Sequence, residues 1–193
     1  MNEQTTPEKP ELSKSEEFKL DLFSWLQTLV VALVALILLF TFVGRIIAVD
    51  GESMLPTLHD KDLLLLRSIA YTPEQGDVIV LTKDFGPYVD YPIVKRVVAT
   101  GGQTVHIDYD EGKIYVDGDP LNESYTNENY LIHNGPAMSV NDITVPEGSV
   151  FVLGDNRNHS SDSRHVELGA IDERYILGKA VMILFPFQNF GTL

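Results

Sequence analysis

The 193-residue chain contains no cysteine, and its acidic side chains outnumber its basic ones by 28 to 14. The absence of cysteine excludes a disulfide scaffold, thiolate metal sites and a cysteine nucleophile, although it does not decide the compartment. The net charge of −14 argues against a nucleic-acid partner, because phosphate binding needs a basic face. The five histidines are dispersed along the chain, so no metal site is predicted.

One long hydrophobic run stands near the start of the chain. Leu22 to Val43 are 22 residues without a charge, about 33 Å long as a helix and enough to cross a hydrocarbon core of roughly 30 Å. A buried core helix would rarely be apolar on every face over this length. A cleavable signal peptide would have a shorter apolar run, a basic leader and a small-x-small exit, which this segment lacks. We therefore predict an uncleaved transmembrane anchor over residues 22–44.

The charges around this anchor indicate its orientation. Three lysines precede it and two basic residues follow it: Lys9, Lys14 and Lys19, then Arg45 and Lys61. This slight excess favours a cytoplasmic N-terminus. Residues 1–21, rich in Glu, Lys, Pro and Ser, are predicted to be a disordered cytoplasmic tail. Residues 45–193 are then an extracytoplasmic domain on the outer face of the cell membrane.

From Ile46 onward the pattern changes to short β-branched runs separated by turn residues. The predicted strands are 46–49, 63–67, 77–81, 93–99, 104–108, 113–116, 149–153 and 178–185. No sustained helical period follows, so only a short helix at 172–176 is expected. Residues 119–142 are predicted to be an exposed surface excursion. The last strand is apolar on both faces and too short to span a membrane, so we expect it inside a sheet.

Three segments combine residue types that can carry chemistry. Segment 51–58 contains Ser53, which taken alone is more often an exposed loop hydroxyl than a nucleophile. Segment 91–99 places Lys95 and Arg96 in a run otherwise suited to a buried strand, where alternation puts them on opposite faces. Taken alone, an edge strand with a snorkelling lysine would explain it. Segment 154–164 is almost entirely polar, which is typical of a solvated loop but also of a closed hydrogen-bond network.

In this order and directly after a membrane anchor, the three segments resemble bacterial type I signal peptidases, in the compact form of Gram-positive bacteria. The matching motifs are Ser-Met-x-Pro-Thr-Leu at 53–58, Lys-Arg at 95–96, and Gly-Asp-Asn-Arg with Ser-x-Asp-Ser-Arg within 154–164. The resemblance implies a mainly β fold, an antiparallel sheet or partial barrel preceded by one transmembrane helix. It implies a membrane-anchored serine endopeptidase that removes signal peptides from exported preproteins after a small-x-small motif. The implied partners are signal peptides and the lipid bilayer, without cofactor or metal.

The resemblance also assigns catalytic roles by motif position. Ser53 would be the nucleophile, Lys95 its general base, and the Ser53 backbone N–H an oxyanion donor. Ser160 would hydrogen-bond and orient the lysine amine, while Asp162 and Arg164 would pair to hold the catalytic loop.

Two further assignments concern the second oxyanion donor and the substrate. Gly51 stands where some relatives have a serine whose hydroxyl supplies a second donor, so here that donor would be a main-chain group or absent. The positions that match the shallow apolar substrate pockets of the family are Ile47, Val49, Met54, Leu58 and Val94.

A serine–lysine pair imposes a physical requirement on the lysine. An amine accepts a proton only when it is neutral, and with an unperturbed pKa of ~10.4 only about one lysine in 2,500 is neutral at pH 7. Burial in an apolar setting lowers the pKa of a lysine by several units, and the apolar neighbours Ile93, Val94, Val97 and Val98 can provide such a setting. We therefore expect the pKa of Lys95 to lie well below its ordinary value.

Four other interpretations fit the sequence less well. A self-cleaving repressor-type serine–lysine protease would need a basic DNA-binding module. A penicillin-binding enzyme would need Ser-x-x-Lys, and no serine within 50–193 has a lysine three residues later. A Ser-His-Asp hydrolase has histidines available but no Gly-x-Ser-x-Gly elbow. A non-catalytic anchored β module predicts that secretion survives the replacement of Ser53.

Overall fold

The structure is a computed structural model that describes residues 13–42, 44–82, 92–126, 131 and 140–193. The chain divides into two units, Met1–Thr41 and Phe42–Leu193. Much of the predicted tail (1–12) and of the predicted excursion (127–130 and 132–139) lies outside the described residues.

The first unit contains helix α1, Lys14–Phe42. Its first turn is capped by Ser13, whose backbone N–H donates to Glu16 Oε2 at 3.0 Å while its carbonyl accepts from the Glu16 N–H. A serine followed three residues later by a glutamate is a recurrent helix start. The helix therefore begins eight residues before the predicted anchor, and the prediction of disorder is wrong for 14–21.

Among the described residues, one helix is long and apolar enough to cross a membrane. It covers Lys14–Ile37, and its most apolar window has a mean hydropathy of 2.0. A helix that is apolar on all sides suits a lipid environment better than water. By length and composition it corresponds to the predicted anchor.

The second unit is built from antiparallel strands. In chain order they are β1 (Gly44–Ala48), β2 (Leu63–Arg67), β3 (Val78–Leu81), β4 (Ile93–Thr100), β5 (Thr104–Asp108), β6 (Lys113–Val116), β7 (Asp119–Pro120), β8 (Asp142–Thr144), β9 (Ser149–Leu153), β10 (Ile171–Asp172), β11 (Ile176–Phe185) and β12 (Gly191–Thr192). Short 3₁₀ turns cover Arg157–His159 and Glu173–Tyr175.

These strands form two sheets. The larger has the order β1-β2-β11-β3-β4-β9-β10, with β12 added to β11, and it is curled into a half-barrel. The smaller has the order β7-β6-β5-β8. The mainly β fold with one N-terminal apolar helix is confirmed. The last long strand, β11, pairs with β2, β3 and β12, so its predicted place inside a sheet is confirmed as well.

All eight predicted strands are present, with ends shifted by at most two residues. The four strands that the sequence pattern missed, β7, β8, β10 and β12, are two or three residues long. Such segments are too short to show an alternation, because they exist only through pairing with a neighbouring strand. The helix expected at 172–176 is a single 3₁₀ turn, Glu173–Tyr175.

The core consists of three clusters of buried side chains. The first lies beneath β1, β2 and β11 and includes Leu64, Leu66 and Ile183; the second joins the two sheets, and the third lies on β3, β9 and β10. The second cluster includes Leu131, which is buried, with Leu121 packed against it. The segment 119–142 is therefore not wholly an exposed excursion, because its apolar residues cover the edge of the core.

Candidate active site

A tight turn after β1 presents Ser53. Met54 and Leu58 of this turn are buried in the first core cluster, and the Leu58 N–H donates to the Met54 carbonyl at 2.9 Å. Gly51 has φ = +91°, a conformation that glycine adopts without steric cost, and its N–H donates to Asp60 Oδ1 at 3.0 Å. The turn is thus anchored from below, and Ser53 remains partly exposed.

Strand β4 brings Lys95 to this turn. β4 lies between β3 and β9, and Lys95 stands opposite Ile79 of β3. Lys95 is only 3% exposed. Its Nζ lies 2.7 Å from Ser53 Oγ and donates to the Val94 carbonyl oxygen at 2.9 Å. β4 is therefore an interior strand and not an edge strand with a snorkelling lysine. It holds Lys95, the assigned base, in contact with Ser53, the assigned nucleophile.

Burial governs the charge of the Lys95 amine. Removal from water lowers its pKa from 10.5 to about 8; the negative charges of Asp162 and Asp155 oppose this shift and the positive charge of Arg164 adds to it. The partners of Nζ in the described part of the chain are a hydroxyl and a carbonyl, not a carboxylate. At a pKa of about 8, roughly one amine in ten is neutral at pH 7. Such a lysine can accept a proton from a neighbouring hydroxyl.

The loop after β9, residues 154–164, is a closed hydrogen-bond network. Asp162 accepts from the Gly154 N–H at 3.0 Å and pairs with Arg164, whose Nε lies 2.8 Å from Oδ1. Both side chains are fully buried. Burial raises the pKa of Asp162, but the charge and hydrogen bonds of Arg164 outweigh it, so this pKa lies below its usual value. The pair stays ionised and holds the loop in one shape.

This loop lies directly against the turn that bears the serine. The Asn156 N–H donates to the Ser53 carbonyl at 3.0 Å, and Asn156 Nδ2 donates to the Glu52 carbonyl at 3.0 Å. Gly154 explains how the two backbones come so close, because a Cβ at this position would overlap the Ser53 carbonyl oxygen and the Ser160 side chain. The position of Ser53 is therefore set partly by the loop and not by the turn alone.

Ser160 lies within this network, but in the described part of the chain its hydroxyl forms no hydrogen bond with the lysine amine. Its hydroxyl is buried beside the Asp162 carboxylate and helps to lower the pKa of that group. Among the described residues, no hydrogen bond joins Ser160 Oγ to Lys95 Nζ. The hydrogen bond expected between Ser160 and the lysine is thus not formed in this structure, because the hydroxyl is packed against Gly154 instead.

A second buried ion pair lies on the opposite face of β4. Arg96 donates from Nε to Asp155 Oδ1 at 2.8 Å and from Nη2 to Oδ2 at 2.6 Å, while Thr57 Oγ1 donates to Asp155 Oδ2 at 2.5 Å. Asp155 thereby joins β4, the loop and the serine turn. The sequence analysis did not single out Asp155 or Thr57. A usable signal was present, because an arginine in an interior strand needs a carboxylate partner.

The five residues predicted to form substrate pockets do lie around the serine turn. Four of them are buried in the first core cluster, and Ile47 packs against that cluster. Met54 and Leu58 are 1% and 0% exposed, so they support the turn and present no surface to a substrate in this arrangement. Val49 and Val94 reach the surface only at their edges, and Ile47 is half-buried. The assignment of these five residues to substrate pockets stays a prediction, and the observed burial shows that Met54 and Leu58 anchor the turn from the inside.

Within the described ranges, no three histidine, aspartate or glutamate side chains converge as metal ligands would.

Comparison with known proteins places this chain in a family. Residues 22–185 match the family model of signal peptidases, peptidase S26. The chain is similar to a probable signal peptidase I-1 of Synechocystis, with 39% identity over 86% of this chain and 83% of that protein. It is 34% identical to signal peptidase I of Bacillus licheniformis, over 91% and 95% of the two chains. A signal peptidase I crystal structure from Enterococcus faecalis is 30% identical, covers 57% of this chain and 98% of its own, and has a TM-score of 0.45.

These matches define the class of this protein as the S26 serine peptidases. The chain belongs to the signal peptidase family, and within it to the enzymes of the signal peptidase I type. The resemblance to bacterial type I signal peptidases that the three motifs indicated is confirmed.

Proposed function

We propose that this protein removes signal peptides from exported preproteins with Ser53 as nucleophile and Lys95 as general base. The observation that supports this most directly is the 2.7 Å separation of Lys95 Nζ from Ser53 Oγ, at an amine whose pKa burial lowers to about 8. A serine hydroxyl is a poor nucleophile unless a neighbour takes its proton. Lys95 is the titratable side chain in contact with that hydroxyl.

The proposed reaction follows from this contact. Neutral Lys95 takes the proton of Ser53 Oγ as the oxygen attacks the scissile carbonyl, and the Ser53 N–H stabilises the oxyanion. The Lys95 ammonium then gives its proton to the amine of the leaving mature chain as the C–N bond breaks, which leaves the signal peptide esterified to Ser53. Water, deprotonated by neutral Lys95, hydrolyses this ester; the signal peptide leaves and the proton returns to Ser53.

The surrounding residues are proposed to hold these two groups in place. The Asp162–Arg164 pair fixes the loop whose Asn156 donates to the carbonyls of Glu52 and Ser53. Ser160 is proposed to reach the lysine amine after a rotation about its Cα–Cβ bond, since its hydroxyl forms no regular hydrogen bond in the described structure. That contact would orient the lone pair of the amine towards Ser53.

The membrane and the substrate are proposed to meet at this surface. Helix α1 ends at Phe42 and β1 begins at Gly44, so only ten residues separate the end of the helix from Ser53. We propose that α1 crosses the membrane once, with the N-terminus in the cytoplasm and the serine on the outer face. An extended substrate would pair with a sheet edge, with small side chains set against Ile47, Val49 and Val94.

Cleavage of a labelled preprotein by the full chain in detergent tests the chemistry. Ser53→Ala and Lys95→Ala are expected to lower the rate at least about a thousandfold. Ser161→Ala and Lys113→Ala change exposed residues of the same types and serve as matched controls. Cleavage that continues at the wild-type rate in a folded Ser53→Ala variant refutes the proposal.

Cysteine labelling tests the topology, since the chain has no cysteine of its own. Asn2→Cys and Glu147→Cys introduce single thiols on the two sides of α1. In intact cells whose cell membrane is directly accessible to the reagent, a membrane-impermeant maleimide is expected to label residue 147 and not residue 2. Labelling of residue 2 alone would reverse the proposed orientation.

A further inference from the structure

The segment that follows β7 reaches Arg96 of β4 and Arg157 of the loop after β9. Burial alternates along it: Glu123 and Tyr125 are half-buried, while Asn122 and Ser124 are exposed. A turn holds the two inward residues together, because both the N–H and the hydroxyl of Thr126 donate to the Glu123 carbonyl at 3.0 Å. Glu123 and Tyr125 therefore act as one unit, which we call the clasp.

Both side chains of the clasp contact arginines that are largely buried. The Tyr125 ring lies over the Arg96 guanidinium, 4.1 Å from the ring centroid, and 5.7 Å from the guanidinium of Arg157. Arg157 is only 1% exposed, and Glu123 forms an ion pair with it. Cation–π contacts are strongest where the cation is desolvated, and a buried guanidinium without its carboxylate is unfavourable. The clasp thus stabilises the positive charges of Arg96 and Arg157.

These two arginines hold the loop that touches the serine. Arg96 binds both carboxylate oxygens of Asp155, and Arg157 Nε donates to the Gly154 carbonyl at 2.9 Å. The next residue after Asp155, Asn156, donates its N–H to the Ser53 carbonyl. A continuous chain of contacts therefore runs from the clasp through two arginines to the backbone of the nucleophile. None of its members forms a hydrogen bond with Ser53 Oγ or Lys95 Nζ in the described structure.

We propose that Glu123 and Tyr125 are positioning residues that keep Ser53 in line with Lys95. They do so by holding Arg96 against Asp155 and Arg157 against the Gly154 carbonyl. The proposal rests on the proposed peptidase activity. It gives the segment after β7, which contributes no proposed catalytic residue, a role in catalysis. Displacements of about 1 Å at a catalytic group can cost up to a hundredfold in rate, so a loosened clasp should lower kcat and leave substrate binding nearly unchanged.

Steady-state cleavage by the full chain in detergent provides the first test. Tyr125→Leu removes the aromatic face and is expected to lower kcat about tenfold with KM within about twofold of wild type. Tyr125→Phe keeps the face and is expected to retain more than about half of the wild-type kcat. Glu123→Gln weakens the pair with Arg157 and should act in the same direction as Tyr125→Leu. Tyr115→Leu, a tyrosine of β6 outside the clasp, is the matched control.

Amide hydrogen exchange provides a second test that does not depend on activity. In Tyr125→Leu, the Asn156 amide is expected to exchange at least about tenfold faster, because local opening of the loop needs less free energy. The Val97 amide, which donates to the Asp77 carbonyl, should keep its wild-type rate. If the wild-type chain cleaves no preprotein, the proposed function fails while this exchange measurement still decides the clasp.

Three results would overturn the proposal. Tyr125→Leu could match wild type in both kcat and Asn156 exchange, which would show that the clasp holds nothing. Tyr125→Phe could lose as much kcat as Tyr125→Leu, which would assign the effect to the hydroxyl and not to the stacked ring. Val97 could exchange faster together with Asn156, which would show general destabilisation of the domain.

Discussion

Lys95 and Arg96 are adjacent basic residues on opposite faces of the same strand, and their side chains have different kinds of partner. Lys95 is buried against a hydroxyl and a carbonyl, and burial lowers its pKa to about 8. Arg96 is held by both oxygens of Asp155 and by the Gly76 carbonyl at 2.7 Å. One cation has no direct carboxylate partner among the described residues, and the other has a bidentate one.

The difference teaches how one strand can supply both a base and a support. A buried amine without a counter-charge loses its proton readily, because the charged form is the one that burial penalises. A guanidinium stays charged in any protein environment and binds a planar carboxylate at two points. The first residue type is therefore suited to proton transfer, and the second to fixing the distance between two segments. Exchanging the residue types should separate these roles.

The largest expected effect comes from Lys95→Arg. An arginine at this position keeps the positive charge but cannot deprotonate, so the cleavage rate should fall at least about a thousandfold. The reciprocal change, Arg96→Lys, keeps a cation opposite Asp155 and should retain activity within about tenfold of wild type. Rates are measured on one preprotein in detergent. Comparable losses in both variants would contradict the distinction between the two faces.

The second largest effect is expected from Asp155→Asn. It leaves the Arg96 guanidinium without a carboxylate in a buried position, and the loss of one partner of a buried pair costs about 3–5 kcal/mol of unfolding free energy. Urea denaturation measures this loss. Asp142→Asn breaks an exposed pair with His106 and should cost about 1 kcal/mol or less. Equal losses in the two variants would show that the pair with Arg96 has no special structural weight.

Lys95→Met should have the opposite sign on stability. The folded protein must bury an ammonium below pH 8, whereas the unfolded chain binds the proton in water up to pH 10.5. Removal of the amine should therefore stabilise the inactive protein near pH 7 by up to about 3 kcal/mol. The gain should shrink as the pH rises from about 8 towards 10.5, because the wild-type amine is then neutral when folded. Parallel urea titrations at pH 7 and 10 measure it, and a Met variant no more stable than wild type at pH 7 would contradict the buried charge.

The smallest expected effect is the slope of the pH–rate profile. If neutral Lys95 is the base, kcat/KM should rise about tenfold per pH unit below its pKa and level off above it. The bend is expected near pH 8, the value that burial gives the amine. A profile that is flat from pH 6 to 8, or that bends only near pH 10, would exclude Lys95 as the base.

Much of the fold could be predicted from the sequence because alternation and turn residues act locally. The eight longer strands followed from this pattern, as did the placement of Lys95 and Arg96 on opposite faces of β4. The short strands β7, β8, β10 and β12 could not be predicted, because their conformation depends on a partner distant in the chain. The start of α1 was missed because the cap formed by Ser13 and Glu16 lies in a segment whose composition suggests disorder.

The site divides in the same way. The motifs indicated Ser53, Lys95, Asp162 and Arg164, and the structure places the first two in contact and pairs the last two. The depth of burial of Met54 and Leu58 was not accessible from the sequence, because it depends on which side of a turn faces the core. Nor was the contact of Tyr125 with Arg96, since 28 residues, including strands β5, β6 and β7, lie between them in the chain.

The order of residues along the chain by itself determined an apolar helix, a set of alternating strands and the three polar motifs, because each depends on near neighbours. The tertiary structure alone decided that, among the described residues, the amine of residue 95 has a hydroxyl and a carbonyl as partners while the guanidinium of residue 96 has a carboxylate. The reason is physical: a pKa depends on the solvent and charges that surround a group in space, and those neighbours come from segments far apart in the sequence.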